Sequence, residues 1–256
     1  MNASLQGKHV LITREERQAQ IFSELILKYG GKPVEVPLLK INCRNNSIEN
    51  VKNISMYEWI FFTSANGVNC FFQLLKEHHL LEQMSSCKIA VVGHKTEDAL
   101  KTFGFQAHFT PSVYNAETMA SEFIDMYPKE HQGRLLLVRG NMSRQILPNT
   151  FHKHGYTFDL MEVYETVSNI QIKDQLNMQM SQDNIDFITF TSPSTVRAFI
   201  QMNDHKVSYK DLVCVCIGTT TEEAARQAGF THILVPDSFT IEGMVKRMDN
   251  YVNKKG

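Results

Sequence analysis

Residues 59–66 read WIFFTSAN and residues 187–194 read FITFTSPS. In each, an apolar β-prone run stops at a Thr-Ser pair and a helix-length amphipathic stretch follows, with Val68 and Val196 at the same place in it. A strand that ends on hydroxyl residues and turns straight into a helix is the elementary step of a parallel sheet with crossover helices. The two segments, 128 residues apart, belong to a longer repeat whose offset elsewhere is 125. Arg14 falls on Arg139, Gly30 on Gly155, Gly93 on Gly218, Thr96 on Thr221, Gly104-Phe105 on Gly229-Phe230, and Pro111 on Pro236. The chain therefore holds two related α/β units, and the matched residues are mostly Gly, Thr, Ser and Arg where strands run out, the edge at which such folds bind ligands.

Strands are expected at His9 to Thr13, Trp59 to Thr63, Lys88 to Val92, Arg134 to Val138, Asp186 to Thr191 and Leu212 to Ile217, with shorter ones near Ala107 to Phe109 and His232 to Val235. Between them lie helical stretches. In Glu15 to Tyr29, for example, Ile21, Phe22, Leu25 and Ile26 share one face and Gly30-Gly31 ends the run. Val34 to Ile41 and Phe158 to Val167 are extended segments at the same 125-residue offset and read as strands that cross between domains, pairing as a two-stranded linker. The fold class expected is α/β, with two Rossmann- or flavodoxin-like parallel-sheet domains. The module order permits one domain per copy or a crossed arrangement, and the two extended segments supply the two crossings the second needs: residues 1–37 with 168–256 as a discontinuous domain 1 and residues 41–163 as an inserted domain 2, with linkers at about 36–41 and 161–168.

With 43% hydrophobic and 21% charged residues over 256 positions, the chain can bury a core in each half. Its net charge of −1 leaves no basic surplus for a phosphate backbone, so nucleic acid is not an expected partner. The start, Met1 to Lys8, has neither a basic lead-in nor a long apolar stretch, and no apolar run approaches the roughly 20 residues of a membrane span. A cytoplasmic protein with no membrane partner, and a monomer, is the expectation. The five cysteines, Cys43, Cys70, Cys87, Cys214 and Cys216, include no Cys-x-x-Cys pair and read as free thiols, Cys214 and Cys216 sharing one buried face of a strand.

Four turns carry the candidate chemistry: Thr63-Ser64-Ala65-Asn66, Gly93-His94-Lys95-Thr96, Thr191-Ser192-Pro193-Ser194 and Gly218-Thr219-Thr220-Thr221. Each precedes a helix, so free N–H groups and the positive end of the helix dipole suit a carboxylate or phosphate. Ordinary helix capping is the plainer reading of any one of them, and four in two matched pairs favour a ligand. Arg14 and Arg139, each next to a strand end, could clamp acidic groups or make surface salt bridges. The histidines, including His78, His79, His131, His152 and His154, form no metal-ligand spacing, and no metal or cofactor is expected. Glycine-rich dinucleotide and phosphate loops and the Gly-x-Ser-x-Gly elbow are absent.

Leu11-Ile12-Thr13-Arg14, Phe62-Thr63-Ser64-Ala65-Asn66, Val91-Val92-Gly93 with Thr96, Leu137-Val138-Arg139-Gly140, Val163-Tyr164-Glu165-Thr166, Thr189 to Ser194, and Ile217-Gly218 with Thr220-Thr221 occur in the order and spacing of one family. Nearly the whole chain resembles uroporphyrinogen-III synthase. The resemblance implies two α/β domains joined by a two-stranded ladder, one inserted into the other, with the active site in a cleft between them. It implies hydroxymethylbilane, a linear tetrapyrrole with eight carboxylates, as substrate, and allows transient contact with hydroxymethylbilane synthase, the preceding enzyme. The implied reaction is loss of the ring A hydroxyl, attack by the substituted carbon of ring D to give a spiro intermediate, and reclosure with ring D inverted. On that resemblance the catalytic residues would be Tyr164, assisting the departing hydroxyl, and Thr221. The substrate-binding residues would be Arg14, Ser64, Asn66, Gly93, Thr96, Arg139, Gly140, Ser192, Ser194, Gly218 and Thr220. Glu15 and Thr219 depart from it, standing where proline is common. The competing reading is a two-domain small-molecule binder or sensor of the periplasmic-binding type, without catalysis.

Overall fold

A computed structural model describes residues 5–44, 52–131, 133–182, 184–204 and 208–253, the side chains at 17 and 131 excepted. Met1 to Ser4 and the side chain of His131, read above, lie outside the described residues. In chain order the elements begin with β1 (His9–Ile12), α1 (Glu16–Lys28), β2 (Lys32–Glu35) and β3 (Leu39–Cys43). Then come β4 (Tyr57–Phe62), α2 (Ala65–Glu77), β5 (Lys88–Val91), α3 (His94–Lys101), α4 (Ala116–Met126), β6 (Arg134–Gly140), α5 (Ile146–Lys153) and β7 (Phe158–Ser168). The remainder is α6 (Lys173–Ser181), β8 (Phe187–Phe190), α7 (Pro193–Met202), β9 (Val213–Cys216), α8 (Thr219–Gln227), β10 (His232–Leu234) and α9 (Ile241–Asn253). Among the described residues no helix is long and apolar enough to cross a membrane.

The chain divides into two compact units, unit 1 of Met1–Lys40 with Val167–Gly256 and unit 2 of Ile41–Thr166. One sheet runs β10-β9-β8-β1-β2, every pairing parallel. The other runs β3-β7-β6-β4-β5, with β7–β6, β6–β4 and β4–β5 parallel. Each sheet takes strands from both copies of the repeat: β1 and β2 join β8 to β10, and β6 and β7 join β4 and β5. In unit 1 the chain runs outward from β1 to β2 on one side and from β8 to β10 on the other, so the connections diverge between β1 and β8. In unit 2 they diverge between β6 and β4. The carboxyl ends of such strand pairs are where open α/β sheets form ligand crevices.

Period-two alternation builds a core on both faces of each sheet. Along β1, Leu11 joins Ile188, Phe190 and Phe199 on one face, while Val10 and Ile12 join Phe22, Ile26 and Met244 on the other. Each such large side chain contributes about 2 kcal/mol by leaving water. In unit 2, Ile60 and Phe62 pack with Phe71 and Phe72, and Trp59 and Phe61 with Phe123 and Phe151.

Several expectations need correction. The strand expected near Ala107 to Phe109 is reduced to one parallel bridge, Ala90 to Phe109, in the place β10 holds in unit 1. The segment Val34 to Ile41 falls into two strands, β2 ending at Glu35 and β3 beginning at Leu39, which lie in different sheets with Pro37, lacking an N–H, between them. On α1, Ile21 is exposed, and the buried face is Ala19, Phe22 and Ile26. Strand β6 continues through Arg139 and Gly140, so Arg139 lies on the strand rather than after it. Of the cysteines read as free thiols, Cys43 and Cys70 form a disulfide across 27 residues, joining β3 to α2. Cys87, Cys214 and Cys216 are free and buried, and burial holds the Cys214 thiol far above its ordinary pKa.

The matched glycines also separate into two kinds. Gly30, Gly155, Gly104 and Gly229 all have positive φ, from 75° to 93°, and follow helices; they are left-handed helix stops, and their recurrence concerns the backbone rather than a ligand. Gly93 and Gly218, with φ of 169° and −167°, are extended, and any residue could adopt that backbone.

Candidate functional site

In unit 2 the strand β6 ends in the site. Alternation puts Arg139 on the same face as Leu137, beside Phe61 and Leu147, so the guanidinium rises from an apolar wall at 7% exposure. The following loop folds around it: Arg139 Nη2 donates to Ser143 O at 2.6 Å and Nη1 to Gln145 Oε1 at 3.2 Å. Gly140 N donates to Ser143 Oγ at 3.0 Å and pins the loop. Arg139 Nε is buried with no hydrogen-bond partner, and no carboxylate pairs with Arg139 among the described residues. A desolvated cation without a counter-charge is costly unless an anion completes it.

Tyr164 arrives by a register shift. Strand β7 pairs Glu162 with Arg139 but Tyr164 with Gly140, so Val163 is an extra residue. Met161 and Val163 already face the core, and simple alternation would send Tyr164 to the opposite face. The bulge turns its ring onto the same face as Val163. There the ring lies flat on Gly140: a Cβ at that position would stand 2.4 Å from Tyr164 Cε2 and Cζ. Tyr164 Oη meets Ser64 Oγ at 3.0 Å, and Ser64 Oγ also accepts from Gly67 N at 3.0 Å as the N-cap of α2. One serine thus caps a helix and holds the phenol. Arg44 braces the same strand, bridging Glu162 at 2.9 Å and Glu165 at 3.0 Å.

Ser64, Arg139, Ser143 and Tyr164 line a pocket of about 450 Å³ at the carboxyl ends of β4 and β6, the divergence point of unit 2. Its walls include Phe61, Leu137, Val138 and Leu147, its polar groups Ser64, Arg139, Ser143 and Tyr164, and its rim Tyr114, Glu117, Met142 and Arg144. Its lining holds two cations, Arg139 and Arg144, and one carboxylate, Glu117. The pocket suits a partly flat, apolar ligand carrying negative charge.

Of the residues singled out in the sequence, Thr63, Ser64, Arg139 and Tyr164 line this pocket; Gly140 lies under Tyr164 and Gly93 under Tyr114. Asn66 is half-buried in the first turn of α2, and Thr96, at 4% exposure, is packed in the first turn of α3; neither lines the pocket. In unit 1, Ser192 Oγ caps α7 by accepting from Thr195 N at 3.3 Å and meets Ser194 Oγ at 2.9 Å. Gly218 is the N-cap of α8 and Thr220 is exposed. Thr221 is buried at 1% exposure, its N–H donating to Gly218 O at 3.1 Å. Arg14 is half-buried and its Nε donates to Gln18 Oε1; burial pushes the guanidinium below its ordinary value, with Glu15 opposing.

Tyr114, Arg144, Ser143 and Gln145 were not found from the sequence. Arg144 and its neighbours sit in a polar loop with no pattern. Tyr114 had a signal, since it falls on Phe239 at the same 125-residue offset.

Comparison with known proteins bears on this geometry. The family model described as "Uroporphyrinogen-III synthase HemD" matches residues 20–246. The "Porphyrin biosynthesis protein HemD" of Ruminiclostridium josui is 28% identical over 97% of this chain, which spans 49% of that longer relative. A "Putative uroporphyrinogen-III synthase" of Methanocaldococcus jannaschii is 32% identical over 93% of this chain and 96% of its own length. The crystal structure of uroporphyrinogen-III synthetase from Helicobacter pylori shares the fold, with a TM-score of 0.69 at 16% identity over 95% of this chain and 99% of that one. The family match weighs against a non-catalytic binding protein. This chain belongs to the uroporphyrinogen-III synthase family.

Proposed function

We propose that the protein closes hydroxymethylbilane to uroporphyrinogen III with inversion of ring D. The observation that supports this most is the unit 2 pocket, where a buried arginine without a counter-ion stands in the same pocket as a phenol held by a helix-capping serine. Arg139 binds a substrate carboxylate through its free Nε edge, with Arg144 at the rim. Ser64 donates to Tyr164 Oη, which leaves the phenol proton to be donated to the departing ring A hydroxyl. That oxygen leaves as water and the substrate becomes an azafulvene cation. The substituted carbon of ring D attacks, the spiro intermediate fragments, and the other α-carbon of ring D closes the ring with ring D inverted and loses its proton, which restores the phenol; the product is the substrate less one water, with no net redox change. The chain's main contribution is geometry, since an unguided flexible tetrapyrrole closes without inversion.

In unit 2, Asn66, Gly93 and Thr96 shape the two helix starts beside the pocket, and Gly140 admits the Tyr164 ring. In unit 1, Arg14, Ser192, Ser194, Gly218 and Thr220 are assigned to further carboxylates of the substrate. Thr221, being buried, is assigned as a positioning residue for the start of α8. The test is to supply hydroxymethylbilane, made in situ by hydroxymethylbilane synthase, and to resolve the porphyrin isomers after oxidation. Isomer III is expected, and isomer I alone would overturn the proposal.

A further inference from the structure

Among the described residues, two aromatic rings are exposed where a glycine lies beneath them. Tyr114 is 58% exposed and rests on Gly93: a Cβ there would stand 2.7 Å from Tyr114 Cγ and 2.9 Å from its Cβ. Phe239 is 59% exposed and rests on Gly218, where a Cβ would stand 3.4 Å from Phe239 Cγ. Both glycines have extended backbones, so φ does not require them. At Gly93 the ring does, because the clash falls at the root of the tyrosine side chain, which cannot swing clear without leaving its place.

The rings are 125 residues apart, as are the glycines. Each stands in the loop before a helix, Tyr114 before α4 and Phe239 before α9. One carries a hydroxyl and the other does not, so what the two copies share is a ring face and not a hydrogen bond. An exposed ring kept in place in both copies offers a flat, electron-rich face to a ligand. In unit 2 a second observation indicates the ligand's charge: Tyr114 lines the same pocket as Arg139, whose buried Nε lacks a partner. A flat face and a cation in one pocket match a heteroaromatic ring that bears carboxylate side chains.

We infer that Tyr114 is a substrate-contacting residue on which one carboxylate-bearing pyrrole ring stacks, and that Phe239 does the same in unit 1. The inference rests on the tetrapyrrole reading above and names the residues that grip its rings. Stacking of this kind acts on the bound substrate and the transition state alike, so it shows in KM more than in kcat.

The test uses the full chain and freshly prepared hydroxymethylbilane. Tyr114→Leu and Phe239→Leu are expected to raise KM about tenfold each, with kcat changed by less than about twofold and an unaltered Tm, because both rings are exposed. Tyr114→Phe restores the low KM, which separates the ring from its hydroxyl. Gly93→Ala, which displaces the Tyr114 ring, reproduces the KM of Tyr114→Leu. A wild-type enzyme that forms isomer III while both leucine variants keep its KM overturns this inference and leaves the proposed function standing. A wild-type enzyme that forms isomer I alone overturns both.

Discussion

Arg139 and Arg14 are the same residue of the repeat, yet their surroundings differ. Where unit 1 has Thr13 and Thr189 at its divergence point, unit 2 has Val138 and Phe61. Thr13 Oγ1 donates to Thr189 O at 2.6 Å and Thr189 Oγ1 to Leu11 O at 2.9 Å, so β1 and β8 are stitched together by buried side chains. In unit 2 the corresponding side chains are apolar and line the pocket. Leu39 stands at the offset position of Tyr164, but it lies in β3 of the other sheet, and the β1–β2 pairing ends at Ile12 and Glu35, short of the position where β7 bulges. The comparison teaches that two sheet edges built on one pattern differ in what they carry, and that the edge of unit 2 holds a phenol on a bulge and the more deeply buried arginine.

The largest expected effect attacks that asymmetry directly. Tyr164→Phe should lower kcat for isomer III by about 100-fold to 1000-fold while the ring stays on Gly140 and Tm hardly moves. Gly140→Ala, which evicts the ring, should cause a similar loss with some cost in stability. If the coupled isomer assay shows both variants at the wild-type rate, the bulge and its tyrosine are ordinary packing, and the two edges are chemically alike.

The units also differ in cross-linking. Only unit 2 holds a disulfide among the described residues, and closing a 27-residue loop is worth about 3.5 kcal/mol in the chain-entropy picture. Urea unfolding with and without dithiothreitol should show unit 2 destabilised by about that amount. Cys43→Ser should show the same loss with no further effect of reductant. Equal stability in both conditions would mean that the covalent difference between the units is energetically idle.

Which parts of this were legible in the sequence follows from the kind of force involved. The strand and helix alternation was readable because it rests on local periodicity, whereas the sharing of each sheet between the two copies is a non-local outcome that the module order alone left open. Ile21 was misplaced because an apolar residue beside the buried stripe looks the same as one within it; only packing of Phe22 and Ile26 sets the stripe's centre. Gly30 and Gly93 are the same letter at matched positions, yet one answers to φ and the other to a ring laid on it. The Cys43–Cys70 bond depends on β3 being brought beside α2, and no spacing motif announces it. The Arg139 cradle was half legible: the arginine stood out, whereas Ser143 and Gln145 are polar loop residues until the loop folds back. Tyr114 and Phe239 were open to the same arithmetic that found the glycines beneath them.

A smaller effect sharpens the arginine comparison. Arg139→Gln should raise KM for hydroxymethylbilane about tenfold, since a buried cation facing a carboxylate is lost. Arg14→Gln, at a half-buried position already bonded to Gln18, should raise it about twofold. Equal shifts in steady-state kinetics would show the two edges sharing the substrate's charge evenly.

The smallest effect lies at the opposite end of the unit 2 sheet. Tyr57 Oη donates to Asp159 Oδ2 at 2.8 Å, and Arg134 holds the same carboxylate through Nε and Nη2 at 2.5 and 2.6 Å. The matching positions of unit 1 carry Ile185, Val34 and His9, so no such phenol exists there. Burial first, then the hydrogen bond and charge of Asp159, push the Tyr57 phenol up to about 12. An unfolded tyrosine titrates near pH 10, so the folded state holds its proton longer. The resulting stabilisation is complete below about pH 10, declines as pH rises from there to about 12, and is gone above it. Linkage sets a ceiling of about 1.4 kcal/mol per pH unit, and solvent at the half-exposed Arg134 and Asp159 brings the expected slope below about 1 kcal/mol per unit. Denaturant midpoints measured from pH 9 to 12 should fall for unit 2 by that slope beyond whatever unit 1 loses, and Tyr57→Phe should abolish the excess. A wild-type slope that matches the variant's would mean that the phenol leaves its carboxylate as readily as it would leave water.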